Sequence, residues 1–184
     1  MSDLIVGGEI KHPDWPRVTA VLAEMGFIAG VEFMPEEAKI RGRILHKIFQ
    51  YDLEGVLNES TIDSRLMGYY DGFKKFKVET DFVPLELEVP VEHPLLLYRG
   101  TPDCIGKING DLAVIDWKSG AKQKWHPLQL AAYRACKNKG PMKRFGVIFP
   151  GNGKYKLEPY DNHREDERAW SGLVYAYHWR KNYA

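Results

Sequence analysis

Cysteine is nearly missing from this sequence. Only Cys104 and Cys136 occur in 184 residues, far apart and in no metal-ligand spacing. A disulfide scaffold, a zinc finger and a four-cysteine iron–sulfur cluster are therefore excluded, and a reducing cytoplasm fits best. Long apolar runs are missing as well. None approaches the ~20 residues that span a bilayer, so no membrane association is expected. The opening stretch, MSDLIVGGEIKHPDW, has neither a basic flank nor a long apolar segment, and no signal peptide is expected there. Repeats, low-complexity tracts and linker-like segments are absent too, which leaves one domain over 1–184. Net charge is close to nil, at +1. One local absence is more informative. Between Trp117 and Arg144 there is no Asp or Glu, but there are eight Lys or Arg, at 118, 122, 124, 134, 137, 139, 143 and 144. That stretch is a candidate phosphate-binding surface, or else a solvated face.

What is present has the balance of a globular protein, with 44% hydrophobic and 28% charged residues. Val18, Val21, Leu22 and Met25 recur at helical spacing, with Gly26 as a stop. A second helix is expected over about 36–57, with Ile40, Ile44, Leu45, Ile48 and Phe49 as its buried stripe. A third carries Ile62, Leu66, Tyr69, Tyr70, Phe73 and Phe76. The period then changes. From Val83 to Val91 the odd positions are apolar, while Glu86 and Glu88 share the other face, the alternation of a strand. Two further strands are expected over 96–108 and 111–118, joined by Asn109-Gly110, a strong hairpin signal. A helix over 127–139, a buried strand over 144–149 and an edge strand over 154–159 follow. A last helix starts near Asp161, with an acidic first turn that suits its dipole. The expected fold is α/β, a sandwich around a small mixed sheet. Its parts are a helical portion over 1–80, a catalytic sheet and helix over 82–160, and a C-terminal helix over 161–181.

The hairpin allows a geometric argument. If Asn109 and Gly110 form a two-residue loop, Ile108 faces Asp111, and counting back places Asp103 opposite Asp116. Facing residues lie ~5 Å apart at Cβ and point to the same side of the sheet. Lys118, two residues beyond Asp116, points to that side as well. Two such carboxylates repel each other unless a cation neutralises them, and hard oxygen ligands suit Mg²⁺ or Mn²⁺. The plainer alternative is a surface Asp–Lys ion pair. Val114 and Leu112 share that face, which argues that it is partly covered and favours a site.

These residues resemble a known family. Pro102-Asp103 followed by Asp116-Trp117-Lys118 matches the signature of the PD-(D/E)XK nuclease superfamily. Gln129 with Tyr133 resembles the QxxxY helix of its RecB-like exonuclease branch, and Gly42 with His46 resembles that branch's GxxxH motif. Glu88 stands where the branch carries a strand glutamate, and the segment PRVTAVLAEMG is similar to an N-terminal segment of phage-borne members. The resemblance implies a restriction-endonuclease-like core with added N-terminal helices. It implies that Asp103, Asp116, the Trp117 carbonyl, His46 and Glu88 hold the metal. Lys118 would position water and phosphate, and Gln129 and Tyr133 would contact the phosphate backbone. Lys122 and Lys124 belong to the expected nucleic-acid surface, where Trp125 is placed either to stack a base or simply to pack. A structural histidine is the alternative for His46, but its place off the Ile44/Ile48 stripe, one turn after Gly42, favours function. Glu86 competes with Glu88 through their shared face, where spacing to Asp103 favours Glu88, and core packing is the alternative for Tyr133.

Subfamilies with an iron–sulfur cluster need four cysteines, so the likeness to those ends at the active site. Helicase motifs are absent too. In outline the chain is similar to phage-type and mitochondrial genome maintenance exonucleases. That implies a bacterial or phage-infected cell, DNA with free ends or single strands as substrate, and recombination or replication proteins as partners. The expected function is a Mg²⁺- or Mn²⁺-dependent DNA exonuclease. The alternatives are an endonuclease of the same fold and a non-catalytic nucleic-acid-binding protein on a decayed nuclease fold.

Overall fold

The Asn109-Gly110 pair sits at the centre of the architecture. Both residues have positive φ, 50° and 84°, as a tight two-residue hairpin turn demands. They join β5 (Cys104–Ile108) to β6 (Asp111–Lys118) in the expected register, from Ile108 opposite Asp111 to Cys104 opposite Ile115. The computed structural model describes residues 4–28, 35–137 and 141–183.

Around this hairpin, β1 (Ile5–Val6), β2 (Val83–Leu87), β7 (Lys143–Ile148) and β8 (Lys156–Pro159) complete a six-stranded sheet in the order β1-β2-β5-β6-β7-β8. The sheet is mixed, because β1 runs parallel to β2 and β6 parallel to β7, while the other pairs are antiparallel. The helical portion expected over 1–80 thus also supplies an edge strand. Strands β3 (Val91–His93) and β4 (Tyr98–Gly100) pair with each other as a separate hairpin. The strand expected over 96–108 is therefore broken in two at Pro102-Asp103. Proline lacks the N–H that a continuous ladder would use.

Helices cover both faces, which is why β6 carries the unbroken apolar run Leu112–Ile115 at its centre. On one face α2 (Glu36–Leu53) and α3 (Met67–Glu79) pack Leu45, Phe49, Phe73 and Phe76 against Ile115 and Trp117. On the other, α1 (Val18–Glu24), α4 (His126–Lys137) and α5 (His163–Tyr183) enclose Val21, Val114, Leu130 and Trp170. None of the helices described is long and apolar enough to cross a membrane.

Two expectations need correction. Ile40 and Ile44 are each 43% exposed, so the buried stripe of α2 reduces to Leu45, Ile48 and Phe49. At 3.6 residues per turn the two exposed isoleucines fall on the flank away from the sheet. The basic stretch is likewise not one surface, because the helix and strand it forms send its side chains in different directions. Arg134 pairs with Glu167, Lys137 with Glu86 and Lys143 with Asp111, and Arg144 is buried against Asp166. Lys139 lies outside the described residues.

Candidate metal centre

The break at Pro102-Asp103 and the end of β2 bring three side chains together from distant parts of the chain. Ligand atoms of His46, Glu88 and Asp103 all lie within 4.8 Å of one another. His46 comes from α2, Asp103 from the residue before β5, and Glu88 from the residue after β2. The alternation that would place Glu86 beside Glu88 does not survive. The β2–β5 register shifts between Pro84 and Glu86, and Glu88 turns into the left-handed region at φ 50°. Glu86 pairs instead with Lys137. Glu88 receives its place from the chain turn, and its N–H donates to the Asp103 carbonyl at 3.2 Å.

The hairpin register carries Asp116 to the same corner. Asp103 Oδ2 accepts the Trp117 N–H at 2.7 Å, which clamps the two strands where the ladder ends. Asp116 is buried. Its Oδ2 lies 2.5 Å from Lys118 Nζ, yet no donor meets that oxygen with hydrogen-bond geometry. His46 lies between two acceptors, with Nδ1 3.3 Å from Asp103 Oδ1 and Nε2 3.1 Å from the Trp117 carbonyl oxygen.

The charges respond to this crowding. Burial raises the Glu88 carboxyl to about 7, and the neighbouring Asp103 adds to that rise. Burial, with Asp103 close by, also raises Asp116 to about 6 against the opposing pull of Lys118. Burial acts to lower His46, but the Asp103 charge and hydrogen bond prevail and raise it to about 9. Asp103 resists its own burial and is held below the usual carboxylate range by His46, Lys118 and the Trp117 N–H. One imidazolium and one ammonium thus offset three acids in a largely buried corner. A mixed set of carboxylates and one imidazole, with the ligand atoms of His46, Glu88 and Asp103 within 4.8 Å of one another, fits a hard divalent cation.

Lys118 is held on several sides. Besides Asp116, its Nζ donates to Gln129 Oε1 at 3.3 Å and lies 5.2 Å from the centre of the Trp125 ring. Gln129 Nε2 in turn donates to the Tyr133 hydroxyl at 3.2 Å, one helical turn along α4. Gln129 and Tyr133 are both buried, and within this structure Gln129 connects Tyr133 to Lys118. Of the expected surface lysines, Lys124 is exposed, while Lys122 pairs with Glu158 and lies over the Tyr160 ring.

Sequence reasoning passed over two residues here. A Cβ on Gly42 would meet only Ser119 Oγ, at 3.8 Å, which is ordinary contact, so the protein itself does not require glycine there. Ser119 had a signal in directly following Lys118. Lys47 adds its charge at Glu88, and its signal was its place beside His46.

The chain aligns with several known proteins. The chain is 36% identical over 78 residues to Mitochondrial genome maintenance exonuclease 1 of Mus musculus, covering 39% of this chain and 23% of that protein. The Homo sapiens counterpart is 41% identical over 59 residues, or 28% and 17% of the two chains. The chain thus spans less than a quarter of the length of these curated relatives. Among solved structures, LHK-Exo in complex with dAMP aligns at TM-score 0.48 and 16% identity, over 92% of this chain and 90% of that one. The alkaline exonuclease LHK-Exo from Laribacter hongkongensis aligns at TM-score 0.42 and 15% identity, over 90% and 92%. The family model of the PD-(D/E)XK nuclease superfamily matches residues 59–170, which take in Glu88, Asp103, the Asp116-Trp117-Lys118 run and the Gln129–Tyr133 pair. With that match over more than half its length, the chain belongs to the PD-(D/E)XK nuclease superfamily.

Proposed function

We propose that this protein is a Mg²⁺- or Mn²⁺-dependent DNA exonuclease. The observation that carries this reading is the convergence of His46, Glu88 and Asp103 within 4.8 Å, beside a buried Asp116 carboxylate and Lys118. In this reading Asp103, Glu88 and His46 hold the cation, together with Asp116 and the Trp117 carbonyl. A hard divalent cation there supplies acidification of water and offsets charge on the phosphoryl oxygens.

The protein's own side chains do the rest. Lys118 brings its ammonium, held by Asp116 and Gln129, to the non-bridging phosphate oxygens, where negative charge grows as the diester is attacked. Gln129 and Tyr133 keep that ammonium in one place, so no reorientation is needed at the moment of reaction. His46 gives up a proton before it serves as a ligand, since both of its nitrogens face acceptors. Trp125, half-buried against the lysine, offers its remaining face to a base, and Lys122 and Lys124 attract the backbone.

The name of the curated relatives supports exonuclease over endonuclease, as does the helical material packed around the site. Incubation of end-labelled linear and covalently closed circular single strands, with Mg²⁺ or EDTA, tests the reading. Linear strands should shorten progressively with Mg²⁺ alone while circles survive. Circles consumed as fast as linear strands would replace this reading with an endonuclease, and no cleavage of either would leave a binding protein.

A further inference from the structure

The catalytic reading uses only one side of α2. His46 faces the metal centre, whereas Ile40 and Ile44 stand on the opposite flank, each 43% exposed. That flank forms one wall of a groove of about 900 Å³, closed by the turns that lead into α3. The two isoleucines give the groove an apolar floor that a ligand with flat apolar surfaces would cover.

The lining indicates the chemistry of that occupant. Tyr51, 44% exposed, and Tyr69 contribute ring faces, and four cations, Arg41, Arg43, Lys47 and Arg65, stand around them. Two carboxylates, Glu37 and Asp63, also line the groove, and Asp63 is engaged by Arg65 through its side chain and backbone. Arg43 also reaches Glu36 at 3.2 Å, and the lining's four cations still outnumber its two carboxylates, so the balance is positive. Arg41 lies 5.7 Å from the Tyr69 ring, and its Nε is buried with no acceptor. Arg43 and Lys47 lie between the groove flank and the His46 flank at helical spacing, so a chain in the groove has a basic path around α2 to the metal centre. Lys47 already exerts its charge on Glu88 from that position.

We infer that this groove is a second nucleic-acid subsite, which holds single-stranded DNA remote from the scissile phosphate by stacking bases on Tyr51 and Tyr69 and pairing phosphates with Arg41 and Lys47. The inference rests on the nuclease reading for the identity of its ligand. Alternating rings and cations over an apolar floor suit bases and phosphates together, a combination that an apolar peptide does not need.

The test measures binding and cleavage separately. Fluorescence anisotropy of a labelled oligothymidylate of about 20 nucleotides, in EDTA, compares the wild type with Ile44→Asp and Tyr51→Ala, both at exposed positions. Each variant should bind about tenfold more weakly, and the wild-type affinity should fall as salt rises. With Mg²⁺, KM for the long strand should rise by a similar factor, while hydrolysis of a dinucleotide stays at the wild-type rate. Unchanged binding in both variants overturns the subsite and leaves the groove to a protein partner. Equal losses on long and short substrates overturn it as well, because they indicate damage to the catalytic centre. If the wild type cleaves nothing but the variants still lose binding, the nuclease reading fails and the subsite stands.

Discussion

Asp116 is the residue on which the corner's electrostatics turn. Its carboxyl is raised to about 6 from an ordinary 3.8, and Glu88 to about 7 from 4.5, so the fold holds protons that the unfolded chain releases. Both groups therefore favour the folded state at low pH, and that advantage is lost as pH rises through their folded values. His46 acts in the same direction. Raised from 6.5 to about 9, it contributes stability that is fully present below 6.5 and lost as pH climbs through 9. The cation-free protein should thus lose thermal stability steadily between about pH 4 and 9 at this site. Mn²⁺ should reverse that slope, since its affinity grows as the ligands lose protons. Melting curves across pH, with EDTA and with Mn²⁺, check the sign, and parallel slopes would count against the cluster as a cation site.

Substitutions separate the roles within the site. Asp116→Asn should remove cleavage by at least about a thousandfold, while the cation-free protein melts at or above the wild-type temperature, because a repulsion has gone. Marked destabilisation would mean that the Asp116–Lys118 contact is a structural ion pair instead. Lys118→Ala should lose about a hundredfold to a thousandfold in cleavage yet keep Mn²⁺ binding by calorimetry, since an ammonium is no cation ligand. Loss of binding along with activity would show that the lysine has been given the wrong role.

At the scale of elements, α3 is fixed by close backbone approach. A Cβ at Gly72 would lie 2.4 Å from the Lys154 carbonyl oxygen, and one at Gly68 only 2.0 Å from that of Gly151. Neither neighbour is the tip of a flexible side chain. Gly72→Ala should therefore destabilise the protein by about 1–3 kcal/mol in urea unfolding. Gly172, inside α5, is a control, because a Cβ there meets nothing within 4 Å. Gly172→Ala should stabilise by about 0.5–1 kcal/mol through helix propensity alone. The contact matters for the site because Phe73 and Phe76 of α3 pack edge-on against Trp117, whose backbone is tied to both Asp103 and His46. If Gly72→Ala proves neutral, the approach is looser than these distances imply.

For the whole molecule, two aromatic-rich cores on opposite faces of one sheet leave the metal corner at the ends of β2 and β5, where the ladder stops. Irregular backbone gathers there because side chains from three directions must reach one point. Much of this was legible in advance. Asn109-Gly110 determines its own turn through two positive-φ residues, and the turn determines the register as far as Cys104 opposite Ile115, the pair next to Asp103 and Asp116. Periodicity likewise located the main helices, since local spacing follows directly from helix geometry, although Ile62 and Leu66, expected on the third helix, precede α3 (Met67–Glu79) in short turns. The choice of Glu88 over Glu86 was legible only through the family resemblance, not through the alternation. It depends on a register shift and a left-handed residue, which leave no mark on an alternating pattern. Nor could spacing show that Ile40 and Ile44 would be exposed, or that Arg134, Lys137, Lys143 and Arg144 would each find an acid elsewhere. The sequence by itself determined the central hairpin and its register, because a two-residue turn fixes the pairing of the strands it joins. Only the tertiary structure decided which groups meet, because a contact across 71 residues from His46 to the Trp117 carbonyl depends on how whole elements pack, not on the few neighbours that fix a turn.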